Sequence, residues 1–237
     1  RGLPAILRFR GGSYWDDQSQ QQVEGYPEPK FVNCVWDDNH VGGGNDLGAG
    51  GAIALRDANP IFVGCTFQNN SASTRGGAFY TQTFDSNHPS SPVFRHCLFK
   101  NNRVESQNES VAGGAVSMEE SGSPLFVGTR FESNTARSEN SSADGGAVSI
   151  TGYRDEFESN IIFSQCVFTL NNVESQSGTG RGGAIYAGTQ FTMVNSVVVK
   201  NSTRGTWGEG GGLIIMLQGQ SILINNTIAD NTVSDNS

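Results

Sequence analysis

Carboxylates, thiols and imidazoles are the side chains here that could do chemistry. Asp57, Asp85, Glu119, Glu120, Asp155 and Glu156 each follow a glycine-led apolar segment, and stacked carboxylates supply the oxygen ligands that Ca²⁺ needs. Their spacing is irregular and matches neither an EF-hand nor the nonapeptide calcium repeat, so a solvated acidic face stands beside the Ca²⁺ reading. Zinc would need clustered Cys or His. His40, His88 and His96 are scattered, as are Cys34, Cys65, Cys97 and Cys166. A polysaccharide lyase or hydrolase needs a placed carboxylate pair, or a base with cations against a uronate. His88 near Asp85, or the run Arg154-Asp155-Glu156, could belong to such a site, but the sequence singles out neither.

A second set of charges lies in polar segments 40–49, 103–112, 135–144, 172–181 and 202–210, with 71–75 as a short counterpart. Asp46, Glu105, Glu109, Glu139, Asp144, Glu174 and Glu209 are interleaved there with Arg75, Arg103, Arg137, Arg181 and Arg204, and Trp207 adds an aromatic platform. We expect these segments to be loop inserts emerging on one side and presenting Asp46, Arg103, Glu105, Glu139, Asp144, Arg181, Arg204 and Trp207 for binding.

What positions them is a repeat. Asn39, Asn70, Asn102, Asn134, Asn171, Asn201 and Asn231 each stand three residues after a bulky one: Trp36, Phe67, Phe99, Phe131, Phe168, Val198 and Ile228. The steps are 31, 32, 32, 37, 30 and 30 residues, a period that means stacked units burying their apolar faces against one another. Five positions before the bulky residue come Phe31, Phe62, Phe94, Phe126, Phe163, Met193 and Leu223. Three positions before it is a mostly polar column that includes His96 between Gly64 and Gly128. Two positions before it is a column of small residues: Cys34, Cys65, Cys97, Thr129, Cys166, Ser196 and Asn226. Thr, Ser and Asn sharing the cysteine column suits small buried residues, so free core thiols are expected; parallel Cβ vectors fit the disulfide dihedral poorly.

A second motif recurs between these marks, as Gly76-Gly77-Ala78-Phe79 or Gly145-Gly146-Ala147-Val148, with Gly211-Gly212-Leu213-Ile214 as its expected last copy. Paired glycines turn a corner and the apolar residues after them open a strand; runs such as Ala54-Leu55 or Ser149-Ile150 are expected to give a third, shorter segment. Short strands at fixed phase with glycine corners predict an all-β chain, a parallel β-helix of about seven coils, with the asparagines stacked as an amide ladder and the Phe columns as its core. Right-handed crossovers dominate parallel sheets, so the right-handed form is expected. Residues 1–29 read as a lead-in or partial coil and 30–237 as the repeat region, cut from a longer protein.

Written together, the columns give Pro-x-Phe-x-x-Cys-x-Phe-x-x-Asn followed by Gly-Gly-Ala-apolar, nearly complete over Pro60–Asn70 with Gly76–Phe79 and over Pro92–Asn102 with Gly113–Val116. This pattern resembles the repeats of the chlamydial polymorphic outer membrane proteins and of related bacterial surface proteins with right-handed parallel β-helices. The resemblance spans about residues 30–231 and implies an exported, autotransporter-passenger-like stalk at a bacterial surface, associated with adhesion.

The chain carries 15 Lys and Arg against 23 Asp and Glu, a formal charge of -8, with no basic stripe, which argues against nucleic acid as partner. No stretch approaches the roughly 20 apolar residues of a membrane helix. Asn-x-Ser/Thr triplets at Asn69, Asn108, Asn140, Asn201 and Asn225 arise readily in so Asn/Ser/Thr-rich a chain. The expectation is a non-catalytic extracellular stalk or adhesin-like module, without catalytic residues or a required cofactor, contacting a glycan or protein at a cell surface. A polysaccharide-active β-helix enzyme and a purely structural subunit of a surface assembly are the alternatives.

Overall fold

The computed structural model describes residues 7–10, 12–16, 21–26, 28–42, 48–152, 160–216 and 220–236. Among these every regular element is a β-strand. One complete coil shows the plan: Val93–Arg95, Leu98–Lys100, Arg103–Ser106, Val111–Ala112 and Val116–Glu119 follow one another around the tube. Each strand pairs in parallel with its counterpart one coil earlier and later. The result is four seven-stranded walls and a fifth, four-stranded sheet, a parallel β-helix of seven coils. We number the walls in that order, the Val116–Glu119 strand lying in the fourth. Leu7–Arg10 pairs with Ile53–Arg56 in the fourth wall, so the solenoid's pairing begins before residue 30. Gly12–Asp16 and Gln21–Gly25 form an antiparallel hairpin.

The columns read from sequence are the inward positions of the walls. Phe31, Phe62, Phe94, Phe126, Phe163, Met193 and Leu223 are in register in the first wall. Trp36, Phe67, Phe99, Phe131, Phe168, Val198 and Ile228 are in register in the second. Within each file the rings stack, as Phe62 on Phe94 at 4.9 Å and 8° and Phe131 on Phe168 at 4.6 Å and 1°. Between files they meet edge to face, as Phe62 and Phe67 do at 5.5 Å and 73°. Both are the arrangements that ring quadrupoles favour, and both follow from the rise of about 4.8 Å between parallel strands.

Corners are held by left-handed backbone. The column containing His96 (φ 52°) and Gln165 (φ 56°) turns the first wall into the second, and the residue before each ladder asparagine turns the second into the third. The glycine pair turns the chain into the fourth wall. Gly113 has φ +69°, and a Cβ there would lie 2.1 Å from the Val116 carbonyl oxygen; a Cβ on Gly114 would lie 2.1 Å from that of Gly146. No side chain fits either place.

Three expectations are corrected. The last glycine motif is Gly210-Gly211-Gly212-Leu213 and not Gly211-Gly212-Leu213-Ile214: Gly210 has the positive φ, Gly183 N–H donates to its carbonyl, and Leu213 pairs with Ile185. Three consecutive glycines leave the phase open in sequence, and the inward seat of Leu213 sets it. Ala54-Leu55 and Ser149-Ile150 are not separate segments but the middle of the fourth-wall strands Ile53–Arg56 and Val148–Thr151. The additional strands lie before the glycines, within the polar segments expected to be loops: Arg103–Ser106 with Val111–Ala112, Thr135–Ser138 with Ala143–Asp144, and Asn172–Ser175 with Thr179–Arg181. They form a side lobe with its own small core of Val41, Ala72, Val104, Val111, Ala136, Ala143 and Val173. Only one residue in each short strand is apolar and buried, so no alternation shows against the polar neighbours.

The asparagine ladder runs unbroken from Asn39 to Asn231. Each carboxamide donates one N–H to the Oδ1 of the next asparagine at 2.7–3.0 Å. From Asn70 onward it donates the other to the carbonyl of the bulky residue one coil earlier, at 2.9–3.1 Å. Each Oδ1 from Asn70 on also accepts the backbone N–H of the preceding asparagine. The interior rungs are buried. All four cysteines are free. Cys97 Sγ meets the carbonyls of Phe62 and Arg95 at 3.6 and 3.5 Å, and Thr129 Oγ1 meets those of Phe94 and Val127 in the same way.

Two outcomes follow. Asn134→Ala strands the Phe99 carbonyl and the N–H groups of Asn102, and we expect it to lower stability by about 2–4 kcal/mol, measured by denaturant unfolding. Burial pushes the thiol of Cys97 up to about 11 and that of Cys166 up to about 12. Since the thiolate is the reactive form, both should resist a disulfide reagent at pH 8 in the folded chain and react once it is denatured. Prompt labelling of either in the native state would contradict the packing described.

Candidate functional site

The side lobe turns alternate residues of its strands outward, and these carry the charges. On the outer face of the third wall Glu105, Arg137, Glu174 and Arg204 occupy one column in successive coils. Arg137 NH1 lies 3.1 Å from Glu105 Oε1 and its Nε 3.3 Å from Glu174 Oε2; Arg103 adds a 3.5 Å contact to Glu105. The tips of the lobe are ordered from within: Ser138 Oγ donates to the Glu109 carbonyl and Ser175 Oγ to that of Ser141. Toward the last coils the face opens into a cleft of about 310 Å³ lined by Arg137, Glu174, Ser175, Gln176, Arg204 and Asn236.

The opposite face of the lobe, on the four-stranded sheet, holds Asp144, Arg181 and Glu209 in one column. Arg181 grips Asp144 with two bonds, Nε to Oδ1 at 2.7 Å and NH2 to Oδ2 at 2.8 Å, and its guanidinium lies 4.8 Å over the Tyr186 ring. Burial raises the Asp144 carboxyl and the arginine opposes it; at this bidentate geometry we read the pair as ionised. Trp207 is 64% exposed, in register with Thr179. Glu139 sits at a lobe tip, its N–H bonded to the Ser106 carbonyl. Asp46 lies outside the described residues. The expected binding residues among those described therefore do not converge: Arg103, Glu105 and Arg204 share one face, Asp144, Arg181 and Trp207 the other. Gln176 and Asn236, which complete the cleft, carried no sequence signal because neither is charged or part of a repeated column.

Three of the carboxylates after the glycine-led strands, Glu119, Asp57 and Asp85, are engaged within the protein, and Glu120 is buried. Glu119 pairs with Arg75 and accepts from Tyr80 Oη at 2.6 Å. Asp57 Oδ1 accepts the N–H groups of Phe84 and Asp85 at 2.7 and 3.0 Å. Asp85 Oδ2 accepts from Tyr26 Oη at 2.6 Å and meets His88 Nδ1 at 2.9 Å, with the Tyr26 and His88 rings stacked at 3.6 Å. Arg154, Asp155 and Glu156 lie outside the described residues. Among the described residues no three His, Cys, Asp or Glu side chains are gathered as metal ligands. His96 is exposed on its corner and lies over Gly128, where a Cβ would be 2.6 Å from its Nδ1.

Residues 64–82 match the Chlamydia polymorphic membrane protein repeat. They run from the first-wall corner at Gly64 through Asn70 and the Gly76-Gly77 pair into the fourth-wall strand Phe79–Gln82, so the matched stretch carries both motifs of the coil. No curated protein and no solved structure matches the chain. The match and the coil together describe a repeat protein of this type built as a β-helix, which fits a β-helical module of a surface protein.

The Asp85 cluster ties the segment after the hairpin to the coil beside it. The Tyr26 hydroxyl, then His88, then the Asn87 N–H hold the Asp85 carboxyl down at about 2. A depressed native value means that the stabilisation is present above the ordinary value of 3.8 and is lost as pH falls through about 2. A carboxyl-carbon NMR titration should find that midpoint, and Tyr26→Phe should move it upward; an ordinary midpoint in the unaltered chain would mean that the cluster does not form.

Proposed function

We propose that this chain is a non-catalytic, extracellular β-helical module of a bacterial surface or secreted protein, an adhesin-like stalk whose side lobe binds a glycan or protein at another surface. The observation that carries the reading is the placement of the lobe's charges. They stand on outward positions of short strands, spaced by the coil rise and backed by a separate apolar core, so a ligand meets a preorganised array. Of the acidic file, Glu119 is engaged by Arg75 and Tyr80, Asp85 by Tyr26, and Asp57 by backbone N–H groups. No helix among the described residues is long and apolar enough to cross a membrane. The repeat match supports a surface setting.

The test is to present the purified chain with acidic and neutral polysaccharides, with and without calcium, recording both binding and new reducing or unsaturated ends. We expect saturable binding without turnover. Product formation would overturn the reading in favour of a polysaccharide-active enzyme. If nothing binds and substitutions across the lobe leave the behaviour of the parent surface unchanged, the module is a structural spacer.

A further inference from the structure

We propose that the cleft on the outer face of the third wall binds the carboxylate of a sugar acid, a uronate-type residue of an acidic glycan, with Arg204 as the anchoring cation. The inference rests on the glycan-binding reading above and gives it a site and a ligand chemistry.

The argument starts from the charge column. In a parallel solenoid each outward side chain has its counterparts about 4.8 Å above and below, so like charges cannot follow one another without cost. The column obeys this with Glu105, Arg137, Glu174 and Arg204. Both carboxylates are engaged by Arg137. In the next coil the alternation stops, because the residue in register with Arg204 is Ser234. Arg204 is left with one side-chain partner among the described residues, Asn236, whose Oδ1 accepts from Nε at 3.0 Å. The two terminal nitrogens of its guanidinium have none.

That cation is oriented. Asn236 is fixed by two donations from its Nδ2, to the Ser175 carbonyl at 2.6 Å and the Gln176 carbonyl at 2.8 Å, and so holds one edge of the guanidinium. The free terminal nitrogens match the fork geometry of a carboxylate. At about 310 Å³ the cleft lies at the small end of ligand sites and has the dimensions of one sugar ring. Typical ligand sites are mainly apolar, yet none of the six lining residues has an apolar side chain. Glu174 offers acceptors, and Gln176 and Asn236 offer carboxamides, which suits a ring bearing hydroxyls. A peptide carboxylate would find the anchor but no apolar seat for its chain.

Electrostatics is favourable at short range. The chain as a whole is at -8, but at physiological ionic strength fields fade over about 8 Å. Among the residues that line the cleft, Arg137 and Arg204 outnumber Glu174 by one. Binding should therefore weaken as salt is raised.

The test uses the full chain with trigalacturonate, maltotriose as the neutral probe and hexa-aspartate as the peptide probe, followed by NMR chemical shifts and calorimetry. We expect trigalacturonate to bind and maltotriose and hexa-aspartate to bind at least tenfold more weakly. Arg204→Gln should weaken trigalacturonate at least tenfold with an unchanged melting curve, Arg204→Lys should recover part of the loss, and Arg103→Gln, in the same wall but outside the cleft, should leave affinity unaltered. Undiminished trigalacturonate binding by Arg204→Gln, or a preference for the neutral sugar, would overturn this site while leaving the glycan-binding reading intact. Equal binding of hexa-aspartate would overturn the sugar-acid assignment. If no glycan of the wider panel binds at all, the glycan half of the parent reading fails and this inference with it.

Discussion

The constraint on which everything else depends is the in-register stacking of parallel coils. Every side chain has its own counterpart about 4.8 Å above and below it, so a position is usable only by residues that tolerate themselves as neighbours. Aromatic rings pass this test because stacked files in turn meet edge to face. Asparagine passes because one carboxamide is both donor and acceptor, and a column of them satisfies itself and the backbone at once. A carboxylate or a guanidinium fails, having only acceptors or only donors. On the third wall charge enters its column in alternation, and on the fourth Glu119 is paired with Arg75 from beyond its own column.

The same constraint shifts the burden of conformation from the residue to the coil. The corner before the ladder is left-handed in every repeat, and Asp38, Asn69 and Asn101 suit it because short polar side chains tolerate that region. Leu170 and Lys200 do not, yet adopt φ 57° there. Flanking strands hydrogen-bonded on both sides over-determine the turn, at a local cost of roughly 1–3 kcal/mol. Both side chains point into solvent, where substitution does not disturb the aromatic files. The repeat thus tolerates sequence drift at its outer corners while Gly113 and Gly114, closed in by carbonyl oxygens, cannot drift.

This division explains what the sequence made legible. Columns facing the main core recur with large, distinctive residues, so Phe94, Phe131 and Asn134 could be assigned to walls from spacing alone, and the cysteine column could be read as free thiols from its exchange with Thr129 and Ser196. The side lobe was not legible, since its strands bury single small residues such as Val104, Ala136 and Val173 between charged or polar ones, which in sequence looks like a polar loop. Nor was the phase of Gly210-Gly211-Gly212, where identical residues carry no register. The Asp85–His88 proximity was visible as a short spacing, but Tyr26, 59 residues from Asp85, was not.

A polar segment that is a strand has different functional consequences from one that is a loop. A loop can adapt its charges to a partner and lose entropy in doing so; a strand in this solenoid holds Glu105, Arg137 and Glu174 at separations set by the backbone. Selectivity must then come from where the column's internal pairing runs out. Arginines engaged on both sides, such as Arg137, are structural in the same sense as the asparagines. Arg204, facing Ser234 where the next carboxylate would stand, is the charge on that face the fold does not consume. Variation among coils at outward positions is in this view the means by which a uniform rod acquires a local site: the frame stays periodic, and recognition is written in the departures from its period.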